Sequence, residues 1–151
     1  MTISNQQKIT PFLWFDKEAQ DAAIFYTTVF KNSRIIELHP MVTTFELEGV
    51  RFMTLNAGPM FKFTEAVSFL ISCDTQEEID YYWTTLSGDG GKESMCGWLK
   101  DKYGLSWQVV PSRLGVYMSD HDPKKRENVM KAFMEMKKFD LQKLDEAYNS
   151  K

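Results

Sequence analysis

Cysteine is scarce here: Cys73 and Cys96 are the only two among 151 residues, and no Cys-x-x-Cys spacing joins them. That argues against a disulfide framework or a thiolate metal site and fits a reducing compartment. Cys73, beside the acid that ends an apolar run, reads as a small buried filler. Cys96, between Met95 and Gly97-Trp98, has a pocket-facing alternative, but no neighbouring residue supplies a base to activate it. Histidine is equally sparse, with His39 before Pro40 and His121 between two aspartates. Catalytic zinc usually takes three protein ligands, and iron oxygenases of the facial-triad kind take two His and one carboxylate. Two loop histidines in different regions fit neither pattern and read as solvated surface groups.

Other absences narrow the field further. The net charge is −3, so nothing in the charge balance suggests nucleic acid or an acidic membrane surface as a partner. No run approaches the roughly 18 apolar residues of a spanning helix, and no apolar segment follows a basic start. A soluble, cytoplasmic protein is expected. Dinucleotide loops follow a strand and open a helix, whereas Gly88-Asp89-Gly90-Gly91 follows a predicted helix and precedes a strand, so it reads as a helix terminator. With no alternative loop for NAD or S-adenosylmethionine, no Gly-x-Ser-x-Gly elbow and no Gly-Lys-Ser/Thr loop, no cofactor is expected.

What is present is a doubled phrase. Phe12-Leu13, Asp16 and Phe25-Tyr26-Thr27-Thr28-Val29 are echoed by Phe69-Leu70, Asp74 and Tyr82-Trp83-Thr84-Thr85-Leu86, 57 residues on from 12 to 69 and from 27 to 84. Self-similarity at that period implies two copies of one supersecondary unit. At 151 residues, 43% hydrophobic and 26% charged, the chain has the size of one domain built from two halves.

Residues 9–15 form a buried strand, and Asp16 is a candidate N-cap for a helix over 17–30, whose Ala22, Phe25, Tyr26 and Val29 make one apolar stripe. Strands follow over 34–38, 42–47 and 50–56, with Glu48-Gly49 as a tight turn. The first unit therefore reads β-α-β-β-β. After Ala57-Gly58-Pro59 the linker carries Phe61 and Phe63, either a lid over a cavity or a plug between halves. The second unit repeats the order: a strand over 66–72, Asp74 as cap with an acid at N3, a helix to about 86, a short strand pair over 92–100 and a last strand over 105–110. From Asp122-Pro123 the chain turns charged and helical. Val129, Phe133 and Met136 form a stripe, and a shorter helix covers about 140–148. Met130, Met134 and Met136 are core filling or, alternatively, part of a dimer interface.

Polar residues inside strands point to a ligand or an internal partner. Strand alternation places Thr54 and Asn56 on one face, Ser68 with Leu70, and Ser106 with Gln108, opposite Trp107 and Val109, which point to helices. Asn56, Ser68 and Gln108 are candidates for orienting a ligand, and Trp98 is a candidate stacking wall. For each, an internally satisfied hydrogen bond is the competing reading. Gln108 does not titrate near neutral pH and makes a poor general base.

The motifs Ile9–Asp16, Phe25-Tyr26, Leu55–Pro59, Ala66–Phe69, Cys96–Asp101, Gly104–Pro111 and Phe139–Leu144 together resemble the PhnB-like branch of the vicinal oxygen chelate superfamily, the glyoxalase/bleomycin-resistance/dioxygenase group. The resemblance implies an α+β fold in which two βαβββ modules, about 8–60 and 64–112, form a curled mixed sheet around a cavity. C-terminal helices at about 122–149 complete the single domain, which is expected to assemble as a homodimer. It also carries a label naming a 3-demethylubiquinone-9 3-methyltransferase domain, against which the missing cofactor loop argues. Metal-dependent members place ligands on the first, fourth, fifth and eighth strands, which map near Pro11, at Asn56, near Ala66 and at Gln108. None of these is His, Asp or Glu, so no metal is expected. The segment between Ile36 and Val42 is shorter than in relatives. The leading expectation is a small-molecule-binding protein whose cavity is lined by Asn56, Ser68, Trp98 and Gln108, with Phe61 and Phe63 nearby. The alternatives are a metal-dependent lyase, isomerase or dioxygenase with unusual ligands, and an interaction protein with a self-filled cavity.

Overall fold

A computed structural model describes residues 7–151, in which the chain divides into a first unit ending at Lys62 and a second running from Phe63 to Lys151. In the first, the apolar run yields strand β1 (Phe12–Phe15), followed by helix α1 (Ala19–Val29) and strands β2 (Ser33–Glu37), β3 (Val42–Leu47) and β4 (Val50–Asn56). The sheet order is β1-β4-β3-β2, with β1 parallel to β4 and the other pairs antiparallel. Glu48 and Gly49 both have positive φ, 49° and 83°, the backbone that a two-residue hairpin between right-twisted strands requires.

Period-2 alternation decides which side of this sheet is covered. Leu13, Phe15, Phe45, Leu47, Phe52 and Thr54 are buried beneath α1, whose Ala19, Ala22, Ala23, Tyr26 and Val29 form the facing stripe. Tyr26 stacks on Phe45, and Phe45 on Phe52. The other side carries Phe12, Trp14, Val42, Met53 and Leu55, half-buried or exposed.

The second unit repeats the plan. Strand β5 (Ser68–Cys73) leads into helix α2 (Gln76–Ser87), then strands β6 (Lys92–Glu93), β7 (Trp98–Lys100) and β8 (Ser106–Pro111), in the order β5-β8-β7-β6. Helix starts at 19 and 76 preserve the 57-residue offset of the sequence repeat. Leu99, Trp107, Val109 and Cys73 are buried on the side of α2, which presents Ile79, Trp83 and Leu86. Asp101 ends β7 as a buried hub: its carboxylate accepts from the amides of Tyr103 and Leu105 at 2.9 and 3.1 Å and from Trp107 Nε1 at 2.9 Å.

Three further helices follow: α3 (Leu114–Met118), which no periodicity predicts, α4 (Pro123–Met134) and α5 (Leu141–Asn149). Asp122 and Asp140 cap α4 and α5 through their carboxylates. This segment is an integral part of the second unit. Gln76 at the start of α2 donates to the Phe139 carbonyl and accepts from the Leu141 amide, while the amides of Cys96 and Gly97 donate to the carbonyls of Met136 and Lys137. Phe139 is 1% exposed and fills the space that Gly97, at φ 81°, leaves open.

Two cap assignments and one core assignment need correction. Helix α1 is not capped by Asp16: its N-cap, Glu18, makes no side-chain cap bond, and the Ala19 amide is taken by Asn56 from β4. The cap of α2 is Thr75 rather than Asp74, with Glu78 at N3 reaching back to the Asp74 amide. Met130 and Met134 are exposed rather than core-filling. Overall the molecule is α+β, with two similar modules, two four-stranded mixed sheets and C-terminal helices. Among the described residues no helix is long and apolar enough to cross a membrane.

Candidate ligand site on the second sheet

Strand register lines up two rows of side chains across the second sheet. Lys92 lies opposite Lys100, Lys100 opposite Ser106, and Ser106 opposite Ser68; the adjacent row runs Trp98, Gln108, Leu70. Alternation puts both rows on the face turned away from α2. On this face lies a concavity of about 670 Å³, lined by Glu65, Lys92, Met95, Trp98, Lys100 and Ser106 among others.

Three features give the concavity chemical character. Trp98, half-buried, supplies an aromatic wall. Lys100 Nζ lies 2.6 Å from Glu65 Oε1, and the hydrogen bond from Lys100 is the main reason the Glu65 carboxyl titrates below its ordinary range. Ser106 is 1% exposed and its hydroxyl has no hydrogen-bond partner; among the described residues the only other such buried side-chain atom is Nε of Arg51, in the first unit. A buried hydroxyl without a partner costs on the order of 1–3 kcal/mol, so Ser106, a residue that lines the concavity, carries an unmet donor and acceptor.

Of the six residues singled out from sequence, Phe63, Ser68, Trp98 and Gln108 belong to the second unit, and Asn56 and Phe61 to the first. Trp98 lines the concavity. Ser68 and Gln108 lie beside it on the same face, joined by a 2.9 Å hydrogen bond from Gln108 Nε2 to the serine hydroxyl. Phe63 is half-buried at the start of its unit. Phe61 is exposed and meets Trp14 edge-on, with ring centroids 4.9 Å apart, on the open face of the first sheet. Asn56 faces the other way. Its side chain lies on the helix side of its sheet, accepting from the Ala19 amide and donating to the Pro40 carbonyl, both at 2.8 Å. The expected placement of Thr54 and Asn56 on the open face is thus reversed, because a strand whose alternation is apolar on both sides does not announce which side the helix covers.

Glu65, Lys100 and Ser106 were not singled out from sequence. Ser106 shares a face with Gln108 by simple alternation, but its lack of a partner is a property of packing. The Lys100–Glu65 pair needs the strand register and the path of the linker.

At the positions where metal-dependent members of the superfamily carry ligands, Asn56 accepts from the Ala19 amide and donates to the Pro40 carbonyl, Gln108 Nε2 donates to Ser68, and Pro11 and Ala66, near the other two, carry no side-chain donor. Among the described residues no group of three or more His, Cys, Asp or Glu is placed to hold an ion.

Residues 7–110 match the family model described as 3-demethylubiquinone-9 3-methyltransferase. The chain belongs to this family. Its place in the vicinal oxygen chelate superfamily follows from the same match and from solved structures. A PhnB protein from Bacillus cereus is 35% identical, with the alignment covering 70% of this chain and 99% of that one at a TM-score of 0.66. A protein from Pseudomonas aeruginosa is 17% identical, covering 68% and 96% at a TM-score of 0.57. A glyoxalase-related enzyme from Fulvimarina pelagi, 9% identical, covers 71% and 90% at a TM-score of 0.50 and shares the fold. No curated protein matches the chain. The family match ends at residue 110, so α3, α4 and α5 lie beyond it.

Proposed function

We propose that this family member is a small-molecule-binding protein that seats a partly apolar ligand in the concavity of its second sheet and does so without the superfamily metal. The observation that carries the reading is Ser106: a buried, unpartnered hydroxyl at the wall of a cavity of about 670 Å³ that also presents Trp98 and Lys100. Ligand sites are concave and mostly apolar, with a few fixed polar groups, and this one has that composition.

The family's description names a methyl transfer. Nucleotide-type cofactors rest on glycine-rich strand-to-helix turns, where the backbone must approach the ligand closely. Here those turns are Asp16-Lys17-Glu18 and Asp74-Thr75, and neither contains glycine. That favours binding over methyl transfer. The apolar open face of the first sheet, with Phe12 about half exposed, supports assembly as a homodimer.

A thermal-shift screen against small aromatic and thiol-conjugated compounds tests the reading, because a ligand specific to the native state raises the melting temperature. The expected result is a compound whose shift is reduced in Ser106→Ala and Trp98→Ala. If no compound shifts the wild type, or if the variants respond equally, the assignment is wrong. Stoichiometric zinc, iron, nickel or manganese in untagged protein overturns its metal-free part.

A further inference from the structure

The Lys100–Glu65 pair has a geometry that narrows the ligand class. Lys100 stands directly opposite Ser106 across β7 and β8, so the two residues are cross-strand neighbours on the face that holds the concavity. Such neighbours stand about 5 Å apart at their Cβ atoms, close enough for two groups to share one small anion. Lys92, the next residue in the row, adds a second cation. The acid among these lining residues that meets Lys100 is Glu65, which comes from the segment before β5 rather than from the sheet; the other lining acid, Glu93, accepts from Trp83 Nε1.

Resting on the site reading above, we propose that Glu65 is an internal stand-in for the ligand: the concavity takes an aromatic carboxylate, whose anionic group displaces Glu65 from Lys100 and accepts the Ser106 hydroxyl hydrogen while its ring packs on Trp98. The Glu65 side chain is 64% exposed, so release costs it little solvation. Ser106 is deeply buried and gains the partner it lacks. No bond is made or broken; one carboxylate replaces another. A neutral ligand of the same shape has no means of competing with Glu65 for the ammonium and leaves that pair intact.

Benzoate and its neutral isostere benzamide, titrated by calorimetry into wild type, Glu65→Gln, Lys100→Met and Ser106→Ala, test this. Benzoate is expected to bind wild type, to bind Glu65→Gln about threefold more tightly through loss of an exposed competitor, and to lose its advantage over benzamide in Lys100→Met. Ser106→Ala weakens benzoate. Equal affinity for benzoate and benzamide in every protein, with Glu65→Gln neutral, overturns the stand-in role while leaving the site. Failure of both probes to bind wild type and Glu65→Gln overturns the site and the inference together. Glu65 is exposed, Lys100 half-buried and Ser106→Ala removes only one hydroxyl, so circular dichroism is expected to show each variant folded as wild type.

Discussion

The side-chain oxygen of Asn56, the last residue of β4, accepts the Ala19 amide hydrogen at 2.8 Å, so helix α1 is capped from a neighbouring strand rather than from its own loop. Its amide nitrogen holds the Pro40 carbonyl, tying the β2–β3 connection to the same point. The second module solves the same problem differently. The residue in register with Cys73, as Asn56 is with Phe15, is Pro111, which cannot cap, and Thr75 does so locally.

Replacing Asn56 with Ala removes a cap and leaves the Pro40 carbonyl without this donor. The expected loss is about 1–2 kcal/mol in urea unfolding. Asn56→Asp keeps an acceptor beside the helix N-terminus and is expected to lose less. Equal losses for the two would mean that the cap contributes nothing.

Asp101 satisfies three donors with one buried carboxylate. Asp101→Ala strands them all and is expected to cost about 3 kcal/mol or more. Asp101→Asn, which turns an amide N–H toward one donor, is expected to fall between. A loss within about 0.5 kcal/mol for the alanine variant, the range of ordinary surface changes, would contradict this account.

Gly97 couples the β6–β7 loop to the C-terminal helices. A Cβ there would stand 2.5 Å from Phe139 Cε2 and 2.7 Å from the Val109 carbonyl oxygen, on a backbone at φ 81°. Gly97→Ala is expected to destabilise by about 2 kcal/mol or more and to raise hydrogen exchange across 136–141. Unchanged exchange there would contradict the proposed docking.

Cys73 has its thiol pushed up to about 12, chiefly by burial and then by the negative charges of Glu78 and Asp74. The folded chain therefore keeps a proton that the unfolded chain sheds above the ordinary value of 9.0. Its contribution is complete below pH 9 and is lost as pH rises toward 12, by about 1.4 kcal/mol per pH unit. Between pH 9 and 10.5, wild type is expected to lose stability faster than Cys73→Ala. Thiol titration at pH 8 is expected to label Cys96 in the native protein and Cys73 only after denaturation. Parallel pH profiles would contradict the burial argument.

Much of the fold was legible because it rests on local rules. Strands β3 and β4 fall on the predicted residues, and helices α4 and α5 begin where the sequence turns helical, at Asp122-Pro123 and about 140. Helix α3, at five residues, is too short to show a period. The site was harder to read. Ser68 and Gln108 lie on the predicted face, which Trp98 shares by register, but Asn56 was inverted because β4 is apolar on both sides: Phe52 and Thr54 face the helix, and Met53 and Leu55 do not. A cap supplied by another strand leaves no local signature. Nor does a missing partner, which is what distinguishes Ser106 from Ser68.

The central claim is that ligands bind the open face of the second sheet. Fluorine NMR of protein carrying 5-fluorotryptophan at its four tryptophans, Trp14, Trp83, Trp98 and Trp107, tests it most directly. On titration with benzoate, the account predicts that the Trp98 resonance moves and saturates, while Trp83 and Trp107, on the helix side, stay in place. Movement of Trp14 alone, or no movement at Trp98 while a ligand demonstrably binds, would contradict it.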